Sequence, residues 1–79
     1  MEIKVLGKGC ARCRQLEEDV RRVVSELGVN ADVQHVTDIK EIMSYKVMGT
    51  PALVINGKVK VAGRLPQIDE IKKYINEEL

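Results

Sequence analysis

A chain of 79 residues, 44% apolar and 32% charged, with a formal net charge of +1 at pH 7, holds one small folded domain and is too apolar to stay disordered. Charges of one sign form no long run, and the only aromatic residues are Tyr45 and Tyr74, so the chain lacks the basic face or stacking platform of a nucleic-acid binder. No stretch is long and apolar enough to span a membrane, and "EIKVL" after Met1 is not a secretory apolar region, which makes the cytoplasm the expected location.

Glu2 to Leu6 reads as a strand, ended by Gly7 and Gly9. A helix follows from about Ala11 to Leu27, with Leu16, Val20, Val23, Val24 and Leu27 along one face. Gly28 with Val29 behind it suits a Schellman stop. Ala31 to Val36 is a weaker strand. Asp38, with Glu41 three residues on, looks like the cap of a second helix whose inner face is Ile39, Ile42, Met43 and Val47. Gly49-Thr50-Pro51 breaks that helix.

"ALVI", from Ala52 to Ile55, is continuously apolar, as in a strand covered on both faces. Asn56-Gly57 is a two-residue hairpin turn. Lys58 to Ala62 alternates lysine and valine, an edge strand blunted by charge, and Gly63 ends it. Pro66 suits the first turn of a last helix with Ile68, Ile71 and Ile75 inside. The order is βαβαββα. A helix between the first two strands makes them parallel, and the last two form an antiparallel hairpin. The expectation is an α/β fold in a single domain of residues 1–79, with a mixed four-stranded sheet and helices on both faces.

The only cysteines, Cys10 and Cys13, stand three apart where the first helix begins. A bridge between them closes a tiny loop and constrains the unfolded chain little, so stability does not explain the pair. Cys13 lies three residues before Leu16 and seven before Val20, which continues the apolar stripe and predicts burial. Cys10 lies at the free end and is expected to be reachable. Unpaired N–H groups and the dipole at a helix start favour an anion, and Lys8, Arg12 and Arg14 add positive charge. Such surroundings lower a cysteine pKa from about 8.5 toward roughly 3.5–7.5, and the thiolate is the nucleophile in disulfide exchange. Spacing thus separates an attacking thiol, Cys10, from a resolving thiol, Cys13. The alternative use of the same pair is metal binding, as in a small copper or zinc carrier. Zinc ordinarily takes four ligands and the chain adds only His35, whereas copper(I) accepts two soft thiolates.

C-x-x-C at a helix start, then "GTPALVINGKV", then a closing helix resembles the thioredoxin fold over essentially the whole chain. The nearest likeness is to the very small thioredoxin-like redox-active disulfide proteins of archaea and bacteria. The resemblance implies a protein-disulfide oxidoreductase with no cofactor and no metal. It implies that Pro51 is cis and borders the disulfide, that Thr50 offers its backbone to an extended client segment, and that Gly63 leaves room beside the site. It also implies disulfide-containing client proteins and an upstream reductase such as a thioredoxin reductase; a monomer is expected.

The chain departs from the wider superfamily in several places. Gly9 stands where a tryptophan is usual, Ala11-Arg12 fills the motif, and Lys4 is nearest to the place of a buried aspartate. "VAGRLP" lacks the paired glycines with which glutaredoxins hold glutathione. Lys4 is expected to lie on an exposed strand face, His35 to be a surface histidine, and Tyr45 and Met48 to pack in the core. Glu17 to Asp19 is expected to be a solvated helix face.

Overall fold

The computed structural model describes residues 1–79. Strands β1 (Glu2–Leu6), β2 (Asp32–Val36), β3 (Ala52–Ile55) and β4 (Lys58–Ala62) alternate with helices α1 (Ala11–Leu27), α2 (Ile39–Ser44) and α3 (Ile68–Asn76) in the order β1-α1-β2-α2-β3-β4-α3. The sheet order is β2-β1-β3-β4. β1 and β2 are parallel; β3 runs antiparallel to both β1 and β4. No helix is long and apolar enough to cross a membrane.

The two-residue period of the strands sorts the core into two layers. Ile3, Val5, Leu53 and Ile55 pack with Leu16, Val20 and Val23 of α1 and with Ile71 and Ile75 of α3. Leu6, Val36, Ala52 and Val54 point the other way and meet Ile42 of α2. The unbroken apolar run of β3 follows from this, because both of its faces are covered.

Local signals close the elements. α1 stops in a Schellman motif, with Gly28 at φ 66°, its N–H on the Ser25 carbonyl (3.2 Å) and the Val29 N–H on that of Val24 (3.1 Å). In the hairpin turn Asn56 and Gly57 both take positive φ, at 51° and 81°, which is the twist that joins two antiparallel strands tightly.

Several expectations need correction. β2 begins at Asp32, one residue later than Ala31. Leu27 is 37% exposed because it sits in the last turn of α1, beyond the sheet. α2 is under two turns long, so one residue, Ile42, reaches the sheet; Val47 is half-buried, and Ile39 and Met43 are exposed. Asp38 caps α2 through the Lys40 N–H (3.1 Å), but Glu41 turns to Lys4 instead of closing the box.

Pro66 lies just before the Gln67 cap of α3 instead of in its first turn. It is buried, as is Ile71 in the fourth helical position, the arrangement of a hydrophobic staple. On β4, Leu53 pairs with Val61 and Val54 with Val59, so Lys60 is the extra residue of a bulge. The bulge sends Lys60 toward the end of α3, where its Nζ meets Glu78 (2.8 Å) and Glu77 (3.2 Å). Val59 is left exposed.

α3 is entered through a charged knot. Glu70 accepts from Arg64 Nη1 (3.1 Å) and Nη2 (2.6 Å) and from the Gln67 N–H (3.0 Å). These bonds, led by Arg64, hold the Glu70 carboxyl at about 2, against an ordinary 4.5. The folded state therefore takes up this proton at lower pH than the unfolded chain. The contribution of Glu70 to stability is complete above about 4.5 and is lost as pH falls toward about 2. In urea unfolding from pH 7 to pH 2, Glu70→Gln is expected to be less stable than wild type at neutral pH. The difference should close across the acid limb; a constant difference contradicts the assignment.

Candidate active site

Cys10 is the N-cap of α1, with extended backbone (φ −74°, ψ 162°), and its Sγ accepts the Cys13 N–H at 3.1 Å. A sulfur thus occupies the place of a capping oxygen. It receives one of the N–H groups that a helix start leaves unpaired. Cys10 is exposed and Cys13 is fully buried on the stripe of Leu16 and Val20. The two are joined as a disulfide, with Cα atoms 5.1 Å apart. No acidic residue lies in the first turn of α1. Lys8, Arg12 and Arg14 are exposed and form no ion pair with any carboxylate.

The loop from β1 brings the chain close beneath the sulfur. Gly7 is buried, and a Cβ built there would overlap Cys13 Sγ and lie 3.7 Å from Thr50 Cβ. Gly7 is thus a wall of bare backbone behind the inner cysteine, and Thr50 stands beside it. The Thr50–Pro51 bond is cis, Thr50 is exposed and Pro51 is buried. The Pro51 carbonyl accepts the Gly63 N–H (3.0 Å), whereas no hydrogen bond engages the Thr50 backbone. Gly49 approaches Gly63 so closely that a Cβ on Gly49 would sit 3.2 Å from the Gly63 Cα. The sequence-derived residues Cys10, Cys13, Thr50 and Pro51 therefore converge at one end of the sheet, with Lys8 and Arg12 on its rim.

Lys4 does not join them. Its side chain is folded under α2, where Nζ pairs with Glu41 (3.2 Å) and lies 5.9 Å from the Tyr45 ring centre. Tyr45 packs against the smaller core cluster, whereas Met48 is fully exposed, not in the core. His35 is not a surface histidine. Its ring is half-buried, with Nδ1 2.9 Å from Glu17 Oε1 and Nε2 2.9 Å from the Gly7 carbonyl oxygen.

Glu17 accordingly leaves the solvated face to which the sequence assigned it. Burial pushes its carboxyl up, but hydrogen bonds from Arg21 and His35 outweigh that and hold it below 4.5. One signal was available: Glu17 lies one turn beyond Cys13, and His35 is the only histidine in the chain. No three His, Cys, Asp or Glu side chains cluster as a zinc site would require.

A cysteine pair that opens and closes at the start of a helix passes electrons to and from other disulfides. On this fold it defines a thiol–disulfide oxidoreductase of the thioredoxin-fold class, one that acts on protein disulfides. Residues 1–76 match the model of the thioredoxin domain, and the chain belongs to that family. It is 34% identical over 76 residues to a thioredoxin of Methanothermobacter thermautotrophicus, covering 96% of this chain and 99% of the relative. It is 35% identical over 77 residues to a thioredoxin of Methanocaldococcus jannaschii, covering 98% and 88%. Thioredoxin 1 of Thermosipho africanus shares the fold with a TM-score of 0.59 at 16% identity, over 99% of this chain and 98% of that one.

The Gly7 wall has a measurable consequence. Gly7→Ala places a methyl group where the Cys13 sulfur lies, and the bridge to Cys10 restrains that sulfur in the oxidised form only. Overpacking of this kind costs roughly 1–3 kcal/mol. Borne mainly by the oxidised form, it should raise the reduction potential by about 20–65 mV, at about 30 mV per 1.4 kcal/mol. Equilibration against dithiothreitol buffers reads this directly. An unchanged potential, or a lower one, contradicts the contact.

Proposed function

We propose that the chain, as a single domain of residues 1–79 and a monomer in the cytoplasm, reduces disulfides in client proteins, with Cys10 as nucleophile and Cys13 as resolver. The observation that carries this reading is the asymmetry of the pair: Cys10 is exposed with a backbone N–H on its sulfur, and Cys13 is fully buried. The Cys10 thiolate attacks a client disulfide and forms a mixed disulfide, displacing the other client sulfur as a thiolate. Deprotonated Cys13 then attacks Cys10 Sγ, the client's second sulfur leaves, and the Cys10–Cys13 bond closes. Lys8 and Arg12 favour the Cys10 anion through their charge. The free N–H and C=O of Thr50 suit pairing with an extended client segment, and Pro51 fixes the loop that presents them. All electrons enter and leave through sulfur, so no bound cofactor is called for.

The two cysteine variants should fail differently. Cys10→Ser is expected to lose both insulin reduction and adduct formation. Cys13→Ser is expected to keep adduct formation and accumulate mixed disulfides, visible on non-reducing gels. In these single variants Cys10 should alkylate faster than Cys13 at neutral pH, because the helix start favours its thiolate and burial disfavours that of Cys13. Trapping by Cys10→Ser, or faster alkylation of Cys13, reverses the roles.

The reductant is proposed to be a flavin-dependent thioredoxin reductase or a related enzyme. The loop "VAGRLP" lacks paired glycines for holding glutathione. In a coupled insulin assay such a reductase should outpace glutathione; efficient turnover on glutathione alone contradicts the assignment.

A further inference from the structure

His35 pairs in register with Val5, on the face of the sheet that α1 covers. Its ring therefore lies between α1 and the loop that leads to the cysteines. One nitrogen reaches Glu17 of α1 and the other the Gly7 carbonyl, both at 2.9 Å. The second carboxylate oxygen of Glu17 is occupied by Arg21, through Nε (3.1 Å) and Nη2 (2.9 Å), and the same Nη2 donates to the Val33 carbonyl (3.0 Å). The charged or titratable groups facing the ring are thus Glu17 and, behind it, Arg21 of α1. Val5 of β1 and the Gly7 carbonyl of the loop bring none.

Both partners of the ring only accept. A carbonyl oxygen has no proton to offer, and Glu17 is a carboxylate. A neutral imidazole has one N–H and can satisfy only one of them. Both bonds exist together only in the imidazolium. Gly7 is tied to β2 twice, since its N–H donates to the Val36 carbonyl (3.0 Å) and its C=O accepts from His35. On its other side, Gly7 is the wall that Cys13 Sγ rests against.

We propose that His35, oriented by Glu17, is a positioning residue for Cys13, and that its bond to the Gly7 carbonyl holds the Gly7 wall and so sets the rate at which Cys13 closes on Cys10. This rests on the reading of Cys10 as nucleophile and Cys13 as resolver. In the step concerned, deprotonated Cys13 attacks Cys10 Sγ, the Cys10–client bond breaks, the client leaves as a thiolate, and the Cys10–Cys13 bond forms. Two electrons pass from the cysteine pair to the client. His35 neither gives nor takes the proton of that step. Loss of the bond to the Gly7 carbonyl loosens the wall, and a displacement of about 1 Å at a reacting atom costs up to roughly 100-fold in rate.

The test uses the reduced full chain and 5,5′-dithiobis(2-nitrobenzoate), which gives two separable releases of coloured thiolate. The first reports attack by Cys10 and the second closure by Cys13. His35→Leu is expected to slow the second phase roughly 10-fold to 100-fold and leave the first nearly unchanged. His35→Gln still offers the Gly7 carbonyl an N–H, so it should restore part of the rate. Equal second phases in wild type and His35→Leu, or no recovery in His35→Gln, overturn the proposal. Should His35→Leu fail to fold, ¹⁵N spectra of the wild-type ring decide. A proton on Nε2, the nitrogen that faces the Gly7 carbonyl, supports the proposal, and an Nε2 without one overturns it. A wild-type protein that shows no second release refutes instead the division of roles between the cysteines.

Discussion

The contact between the Cys13 side chain and the bare backbone of Gly7 decides where α1 begins, and the rest of the site follows from that. Any side chain at residue 7 would overlap the Cys13 sulfur, so one of the two would have to shift. With glycine there, Cys13 sinks onto the Leu16–Val20 stripe and Cys10 is left at the cap with a backbone N–H on its sulfur. Burial of one sulfur and exposure of the other are one consequence of a single close approach. The same place beside Gly7 is bordered by Thr50, which is how a loop far away in sequence comes to border the cysteines.

Few interactions of other kinds were available. A chain of this size buries a limited core, here one larger and one smaller cluster on the two faces of the sheet. The bridge between Cys10 and Cys13 adds little to stability because its loop is so short. That leaves the disulfide free to be opened and closed in exchange chemistry without dismantling the fold. The ordering of loops falls instead to polar ties, such as Arg64 with Glu70 before α3 and His35 with Glu17 and Gly7 at the cysteine loop.

Features encoded by neighbouring residues were legible in the sequence. The β1 strand, the α1 stripe with its glycine stop, the doubly covered β3 and the Asn-Gly turn all have local causes, and the topology followed from them. The exposure of Cys10 and burial of Cys13 were legible for the same reason, since a helical stripe fixes which cysteine faces in. What depended on partners across space was not legible. The pairing of His35 with Glu17 needs the parallel register of β1 and β2, which nothing in "ADVQHV" announces. The outward turn of Ile39 and Met43 reflects a helix too short to show the sheet more than one residue. The place of Lys60 depends on a bulge that breaks the alternation from which strand faces are read.

That bulge reaches beyond packing. An open sheet edge invites another chain to add a strand, and β4 is such an edge. By displacing Lys60 out of the ladder and fastening it to Glu77 and Glu78, the chain uses the residues that close α3 as a latch across the edge. Protection against assembly into fibres or swapped oligomers is thereby coupled to the way α3 ends. Losing those two carboxylates would bear on that protection without touching the cysteines.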